Sequence, residues 1–446
     1  MNHPLKAILD IRREELPQAL MMFLYFLLVI TTFWILKPIK KALFISHYKE
    51  AGGFHFGSLS FDAAQAELLA KTLNMFVALA ATMAFGALSN RFHRHQLTNI
   101  FAAFFIAGFV VYTGLLHAPA SGTVWTFYLF GDLFSTIMVA TFFAFLNDTV
   151  DADAAKRTYG LVVLGGVAGG VLGSNVVRSL IDTLSRTSWL WICIGVNLAI
   201  MLIATIVGRR FDRDATSSDA RLRDGSGTAP SPQSAQLAPA RNPALEGARL
   251  VLRSRYLMSI VAIVGIYEMV STIMDFQFSA TIANYCEGPE IGRQISLAFA
   301  VMNTTAFAVQ LLLTSFVMRR FGAAVALMVL PVATALGSAA FLALPVLAIG
   351  RLIPTFDGAL AYSINQSAKE ALYVPTTRDE KYKAKAFIDM FVQRLAKALA
   401  VGLSLIMTSV VTDFSGVRWL SLATLVLIAV WTTAARYAGR HFDDAR

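Results

Sequence analysis

The sequence of 446 residues is 56% hydrophobic and only 15% charged, with a formal net charge of +10. A soluble protein of this length could not cover its surface with so few charged residues. The apolar residues form long runs without the alternation of membrane β-strands, and a run of about 20 such residues crosses a bilayer as a helix. The composition therefore predicts an all-α membrane protein and argues against a soluble enzyme or a membrane β-barrel.

The apolar runs predict about twelve transmembrane helices. The predicted spans are 18–36, 66–89, 97–116, 123–146, 158–182, 187–208, 257–281, 293–318, 322–342, 343–367, 384–411 and 417–436. The first run is long and has no small-residue cleavage site, so we expect it to remain as the first span. Arg351, Pro354 and Asp357 interrupt the tenth run.

A polar segment divides the predicted spans into two sets of six. Residues 209–246 are rich in Ser, Ala, Pro, Asp and Arg, a composition typical of a disordered linker. The predicted domains are an N-terminal six-helix half at 1–208, this linker at 209–246, and a C-terminal six-helix half at 247–446.

The basic residues show an asymmetry between the two sides of the membrane. In a twelve-span count the N-terminus, the C-terminus, the linker and the loops after spans two and eight fall on one side. They hold Arg12, Arg13, Arg91, Arg209, Arg210, Arg319, Arg320, Arg436 and Arg440. The opposite loops at 117–122 and 343–348 have no charged residue. This pattern predicts cytoplasmic termini in a bacterial inner membrane, and it explains the net charge without nucleic-acid binding.

Lysines follow the first apolar run, in the segment WILKPIKKALF. Lys37, Lys40 and Lys41 could lie at the interface with their ammonium groups in the headgroup region. Alternatively they form a cationic rim that faces a transport cavity, because Lys37 shares a helix face with Lys40 and Lys41 if Pro38 does not end the helix.

Other charged residues lie inside predicted spans, where a charge is costly without a partner or water. They are Asp132 in span four, Arg178 in span five, Glu268 and Asp275 in span seven, Arg351 in span ten, and Arg394 and Lys397 in span eleven. Each could belong to a structural ion pair between the halves. Together they indicate a wet cavity rich in cations, which suits a phosphorylated or carboxylate substrate.

Several motifs point away from an enzyme. The glycines of span five, including Gly169 and Gly173, have the spacing of close helix packing, and no Gly-Lys-Ser/Thr ending follows them. There is no HExxH, GxSxG or Cys/His cluster. Cys193 and Cys286 are expected to act as small hydrophobic residues. We therefore predict neither a metal nor a cofactor.

Two longer stretches are specific. Residues 147–165, NDTVDADAAKRTYGLVVLG, and residues 369–397, KEALYVPTTRDEKYKAKAFIDMFVQRLAK, resemble stretches of the ATP/ADP translocases of plastids and obligate intracellular bacteria. The segments WILKPIKKALF and IYEMVSTIMDF are similar to the ends of the first and seventh spans in that family. The loops GALSNRFHRH and SFVMRRFG resemble the signature loop of the major facilitator superfamily, once in each half.

The resemblance implies a major-facilitator fold of two six-helix halves and exchange of ATP for ADP by alternating access. By position it implies that the functional charges are Lys40, Asp132, Glu268 and Lys369. The full set of candidate substrate-binding residues is Lys37, Lys40, Asp132, Asn147, Glu268, Arg351, Lys369, Glu370 and Arg394. The expected partners are a nucleotide or related phosphorylated anion and the lipid bilayer, and the protein is expected to be a monomer.

Two alternatives stay open, because the Phe-Asp-Pro-Thr segment of the family is replaced here by Ile364, Asn365, Gln366 and Ser367. The first is a proton-coupled carrier of another organic anion, with Glu268 as the proton site. The second is a relative that no longer transports and serves as a membrane scaffold or sensor.

Overall fold

A computed structural model describes residues 12–89, 91–92, 94–150, 152–224, 243–373, 375–376, 384–411 and 414–444. Sixteen α-helices and two short strands have defined bounds in this part of the chain. They are α1 Leu16–Glu50, β1 Phe54–Phe56, β2 Leu59–Phe61, α2 Ala63–Ser89, α3 Arg94–Leu115, α4 Ser121–Thr149, α5 Ala152–Leu180, α6 Arg186–Asp224, α7 Pro243–Arg253, α8 Arg255–Tyr285, α9 Pro289–Ala308, α10 Ser315–Arg320, α11 Gly322–Ala343, α12 Leu347–Leu360, α13 Gln366–Ala371, α14 Lys385–Phe387, α15 Gln393–Val410 and α16 Phe414–Asp444.

In the part of the chain that the structure describes, three π-helical turns with defined bounds join neighbouring helices into longer segments. Val309–Thr314 joins α9 to α10, Ala361–Asn365 joins α12 to α13, and Ile388–Val392 joins α14 to α15. Within the described residues, ten helical segments are long and apolar enough to cross a membrane. The tenth and eleventh predicted spans correspond to the two segments that contain the second and third π turns. The predicted all-α membrane class is therefore confirmed.

A small hairpin follows α1 and was not predicted. Strands β1 and β2 pair antiparallel with Phe56 opposite Leu59, and Gly57 in the turn between them has φ of +61°. Glycine fits this turn because it adopts positive φ without steric cost. The next helix begins with a reciprocal cap: Gln65 N donates to Asp62 Oδ1 at 2.7 Å, and Asp62 N donates to Gln65 Oε1 at 2.9 Å. Burial of Asp62 at this cap raises the pKa of its carboxyl group.

The predicted linker is helical at both of its ends. Helix α6 continues through Asp224, and α7 begins at Pro243, so the disorder predicted for 209–224 and 243–246 is wrong. The sequence ATSSDARLRD contains enough Ala, Arg and Leu to extend a preceding helix, although it cannot form a core. Residues 225–242 of the predicted linker lie outside the described residues.

The chain forms two compact units. Unit 1 comprises the described residues up to Lys40 and from Phe76 to Asp224, and unit 2 comprises Lys41–Met75 and the described residues from Pro243 onwards. Helices α1 and α2 are thus each divided between the units. The prediction of six-helix halves at 1–208 and 247–446 assigned both helices wholly to the first half.

In unit 1, glycines allow α5 to lie directly against α1. A Cβ atom on Gly165, Gly169 or Gly173 would lie 2.4–2.6 Å from the backbone oxygens of Phe23, Leu27 or Thr31. Real Cβ atoms do not approach so closely, so only glycine permits this packing. The predicted packing role of the glycine motif is confirmed. Elsewhere in the unit a core of rings, including Phe105, Phe109, Phe130 and Phe134, joins α3 to α4.

In unit 2, large apolar side chains fill the space between α8, α11 and α16. Trp431 of α16 is fully buried, and its ring centroid lies 5.8 Å from that of Tyr267 on α8. Gln277 of α8 donates to the carbonyl of Val417 at 3.0 Å and to the hydroxyl of Ser421 at 2.9 Å. Helix α8 lies at the centre of this unit, and it holds two of the charged residues found in the sequence, Glu268 and Asp275.

Candidate substrate-binding site

Lys40 is buried in the middle of α1. The helix continues through Pro38 to Glu50, so Lys37, Lys40 and Lys41 do not mark the end of the helix. Only 3% of Lys40 and 3% of Lys41 is exposed.

Helix α4 supplies the surroundings of the Lys40 ammonium group. Asp132 forms an ion pair with it, the Tyr128 carbonyl accepts a hydrogen bond at 3.4 Å, and the Tyr128 ring centroid lies 4.2 Å away. Tyr128 and Asp132 are four residues apart and share a helix face. Between them, a Cβ on Gly131 would lie 2.8 Å from Lys40 Cδ, so glycine leaves room for the lysine chain. We call Lys40, Tyr128, Gly131 and Asp132 the α1–α4 site.

The two ends of this ion pair differ in exposure. The Lys40 side chain is 4% exposed, whereas that of Asp132 is 20% exposed. Lys37 lies one turn earlier and is half-buried, with its ammonium 4.5 Å from the Trp34 ring centroid and 5.5 Å from that of Phe33. The site therefore holds a buried ammonium group paired with a partly exposed carboxylate, and a second ammonium group lies one turn earlier on α1, an arrangement able to attract an anion.

Asn147 lies at the other end of α4. It accepts a hydrogen bond from the Tyr159 hydroxyl of α5, and it is exposed. Asn147 lies 15 residues after Asp132, roughly 22 Å along an α-helix. The structure therefore does not bring Asn147 into the α1–α4 site.

Glu268 forms an ion pair in unit 2. Its carboxylate lies 3.3 Å from Lys397 Nζ of α15; 15% of the Glu268 side chain and 45% of the Lys397 side chain are exposed. The acidic partner of Lys397 is thus Glu268, and neither Arg351 nor Lys369, the other basic candidates of this unit, forms this pair. Glu268 lies near the middle of α8, where α15 packs against it, whereas Arg351 lies one turn after the beginning of α12.

The remaining candidates are dispersed over unit 2. Arg351 donates to the side-chain oxygen of Gln294 at 2.6 Å. Glu370 is exposed and accepts from Lys385 at 2.6 Å, and its neighbour Lys369 is half-buried on α13. Arg394 is half-buried on α15, one turn before Lys397.

A cluster of four charges, which was not predicted as a group, lies in unit 2. Lys41 Nζ lies 2.8 Å from Asp275 and 3.4 Å from Glu67, and Lys71 Nζ lies 2.9 Å from Glu67 and also pairs with Asp275. Ser279 donates to Glu67 at 2.8 Å. We call Lys41, Glu67, Lys71 and Asp275 the four-charge cluster.

A signal for this cluster was present in the sequence. Lys41 and Asp275 were noted as charges in or beside apolar segments, but Glu67 and Lys71, near the start of the second apolar run, were not. Their spacing of four residues places both on one face of α2. Within the described residues, no group of three or more His, Cys, Asp and Glu side chains is arranged to hold a metal ion.

The sequence profile of the TLC ATP/ADP transporter family matches residues 118–353 and 343–442. The chain belongs to this family. The match includes α4 with Asp132 and α8 with Glu268 and Asp275. It also includes both specific stretches that suggested the family from the sequence, and the predicted recognition is confirmed.

Relatives of this TLC-family protein are ADP,ATP carriers. It is 22% identical over 363 residues to ADP,ATP carrier protein 1, chloroplastic, of Arabidopsis thaliana, covering 72% of this chain and 55% of that protein. It is 22% identical over 487 residues to ADP,ATP carrier protein 1 of Chlamydia muridarum, covering 97% and 90% of the two chains. The chain thus spans about half the length of the plastid relatives that it matches.

The solved structures that resemble the TLC-family protein are transporters of the major facilitator superfamily. The crystal structure of a D-xylose-proton symporter aligns with a TM-score of 0.60 at 13% sequence identity and covers 94% of this chain and 96% of that chain. This likeness establishes the fold, which is a transporter fold compatible with alternating access.

Proposed function

We propose that this multi-pass membrane protein exchanges a nucleotide, or a related phosphorylated anion, across a bacterial inner membrane, with both termini in the cytoplasm. The buried Lys40 of the α1–α4 site supports this proposal most directly. A lysine at 3% exposure is costly unless its charge is used, and here it occupies the position that the family resemblance assigns to a functional lysine.

The geometry of the α1–α4 site suits a phosphate group. Asp132 satisfies the Lys40 ammonium when no ligand is bound, and Lys37 supplies a second positive charge one turn away. Phosphate oxygens form strong charge-assisted hydrogen bonds with ammonium groups. Because Asp132 is more exposed than Lys40, an arriving phosphate would meet the carboxylate first and would compete with it for the ammonium.

The test of transport is a substrate screen in proteoliposomes loaded with a counter-substrate. We expect uptake of labelled ATP or ADP only when a nucleotide is loaded inside. Exchange of a phosphorylated sugar but not of nucleotides would restrict the proposal to its broader form. Failure of all phosphorylated anions to exchange would contradict it and would favour the scaffold alternative.

The test of the binding residues uses Lys40→Ala and Lys369→Ala. Each should weaken nucleotide binding by about 1.5–3 kcal/mol, the value of a charge-assisted hydrogen bond. Arg293→Ala is the control, because Arg293 is exposed and pairs with Glu290 on its own helix. Unchanged affinity in both lysine variants, with the protein still folded, would contradict their role.

One observation favours a second candidate function, proton-coupled transport through Glu268. The Glu268–Lys397 pair is partly exposed at both ends, so protons can reach the carboxylate. Glu268→Gln imitates the protonated acid, and if Glu268 is the proton site, uptake should lose its pH dependence while substrate still binds. A pH profile identical to that of the wild type would reject this candidate.

A further inference from the structure

The four-charge cluster has a composition that a purely structural ion pair does not need. Two lysines and two carboxylates lie together, and the cluster is neutral. Lys41 of α1 and Lys71 of α2 both bind the carboxylate of Asp275 on α8, one at each oxygen. They also both contact Glu67. Ammonium groups that bind carboxylate oxygens can also form charge-assisted hydrogen bonds with phosphate oxygens.

The members of the cluster differ in exposure. Glu67 is fully buried and Lys41 is 4% exposed, whereas 26% of the Lys71 side chain and 33% of the Asp275 side chain are exposed. Glu67 is further fixed by the hydrogen bond from Ser279. Asp275 is therefore the acid that can leave the lysines without opening the interior, and Glu67 is the acid that remains.

If Asp275 leaves the cluster, an anion must replace its negative charge. With Asp275 in place the cluster is neutral; without it, two lysines face one carboxylate and the cluster has one positive charge in excess. An excess charge in a buried position is strongly disfavoured unless an anion compensates it. Lys71, one of the two lysines that would bind that anion, is itself 26% exposed.

We propose that Lys41 and Lys71 form a second anion subsite, for the phosphate group of the transported anion, and that Asp275 occupies this subsite in the absence of substrate. Asp275 is thus an internal competitor of the phosphate. This inference rests on the proposed function for the identity of the anion, but the subsite itself rests on the four side chains alone.

The experiment measures binding of ATP, and separately of inorganic pyrophosphate, to purified protein. Asp275→Asn keeps the shape of the side chain and removes the competing charge, so both affinities should rise by on the order of tenfold. Lys71→Gln should lower both affinities by a similar factor. In Lys71→Gln/Asp275→Asn the gain should disappear, because one of the two ammonium groups is absent.

Glu287→Gln is the matched control. It removes one negative charge from the same unit, but Glu287 is 89% exposed and lies 3.9 Å from its partner Lys49. Its affinities should stay within about twofold of the wild type, since an exposed charge contributes little. An Asp275→Asn protein that behaves like this control, or whose gain survives Lys71→Gln, would overturn the subsite.

Pyrophosphate separates the subsite from the proposed function. Failure of the wild type to bind ATP, together with a gain of pyrophosphate binding in Asp275→Asn, would reject the nucleotide and retain the subsite. If Asp275→Asn is recovered poorly, binding of ATP and of pyrophosphate to Lys71→Gln tests the subsite without it. Pyrophosphate and ATP affinities that both remain at the wild-type value in that variant would contradict the inference.

Discussion

The two units differ in how their helices pack against one another. In unit 1, α5 lies against the backbone of α1 through a row of glycines, and the described helices are regular. In unit 2, bulky side chains fill the core, and every π turn with defined bounds in the described residues belongs to this unit. A π turn holds one extra residue and weakens the regular hydrogen-bond pattern of a helix. We therefore expect the helices of unit 1 to be rigid and those of unit 2 to tolerate local changes in helix geometry.

The largest expected difference between the units concerns single-residue deletions. Deleting Leu312, exposed in the first π turn, should convert that turn to an α-helix and keep α10 in phase, so the protein should still fold. Deleting the similarly exposed Leu198 of the regular helix α6 should rotate one part of α6 by about 100° against the other and prevent folding. Size-exclusion profiles of the two purified variants check this. Equal yields of folded protein for the two deletion variants would contradict this expected difference between the units.

The next effect concerns one ion pair from each unit. Asp132→Asn leaves Lys40 buried without its carboxylate and should reduce the free energy of unfolding by about 3–5 kcal/mol. Glu268→Gln leaves Lys397, which is 45% exposed and can be hydrated, and should cost about 0–1 kcal/mol. Thermal unfolding in the same detergent compares the two. Costs of equal size would show that exposure does not distinguish these pairs.

A smaller effect tests the glycine packing of unit 1. Gly169→Ala places a Cβ 2.4 Å from the carbonyl oxygen of Leu27 and should destabilise the protein by about 1–3 kcal/mol, because neither backbone can move freely. Gly160→Ala lies on the same helix with nothing within 4 Å of the added Cβ, and its stability should equal or exceed that of the wild type. Melting temperatures measure both, and a neutral Gly169→Ala would contradict the close approach.

The smallest effect concerns Glu15, which precedes the first membrane helix and accepts a hydrogen bond from Nε of Arg157 at 3.1 Å. The hydrogen bond from Arg157 lowers the pKa of Glu15 below its ordinary value. An acid whose pKa is lower in the folded state than in the unfolded state stabilises the fold at pH values above its unfolded-state pKa. This stabilisation is lost as the pH falls through the pKa of the folded state. Glu15→Gln should therefore melt slightly below the wild type at pH 7, and the difference should shrink below about pH 4. A difference that persists at pH 3 would show that the ion pair is not its cause.

The sequence was sufficient for the features that depend on composition and on local pattern. Long apolar runs predicted the membrane helices, and two specific stretches indicated the family. It was insufficient where a contact depends on side chains far apart in the chain. Lys40 and Lys41 are consecutive, yet one pairs with α4 and the other with α2 and α8, because successive helical residues point about 100° apart. The partner of Glu268 was missed for the same reason: Lys397 lies 129 residues away.

The α1–α4 pair and the four-charge cluster are both electrically neutral, and this has a consequence for the energetics of a membrane under voltage. A potential of 100 mV does about 2.3 kcal/mol of work on each elementary charge that crosses the whole membrane, but none on a group of zero net charge that moves as one body. As long as its charges stay paired, displacement of either group within the bilayer therefore involves no electrical work. If transport depends on membrane potential, we therefore expect this dependence to come from the charge of the transported anion.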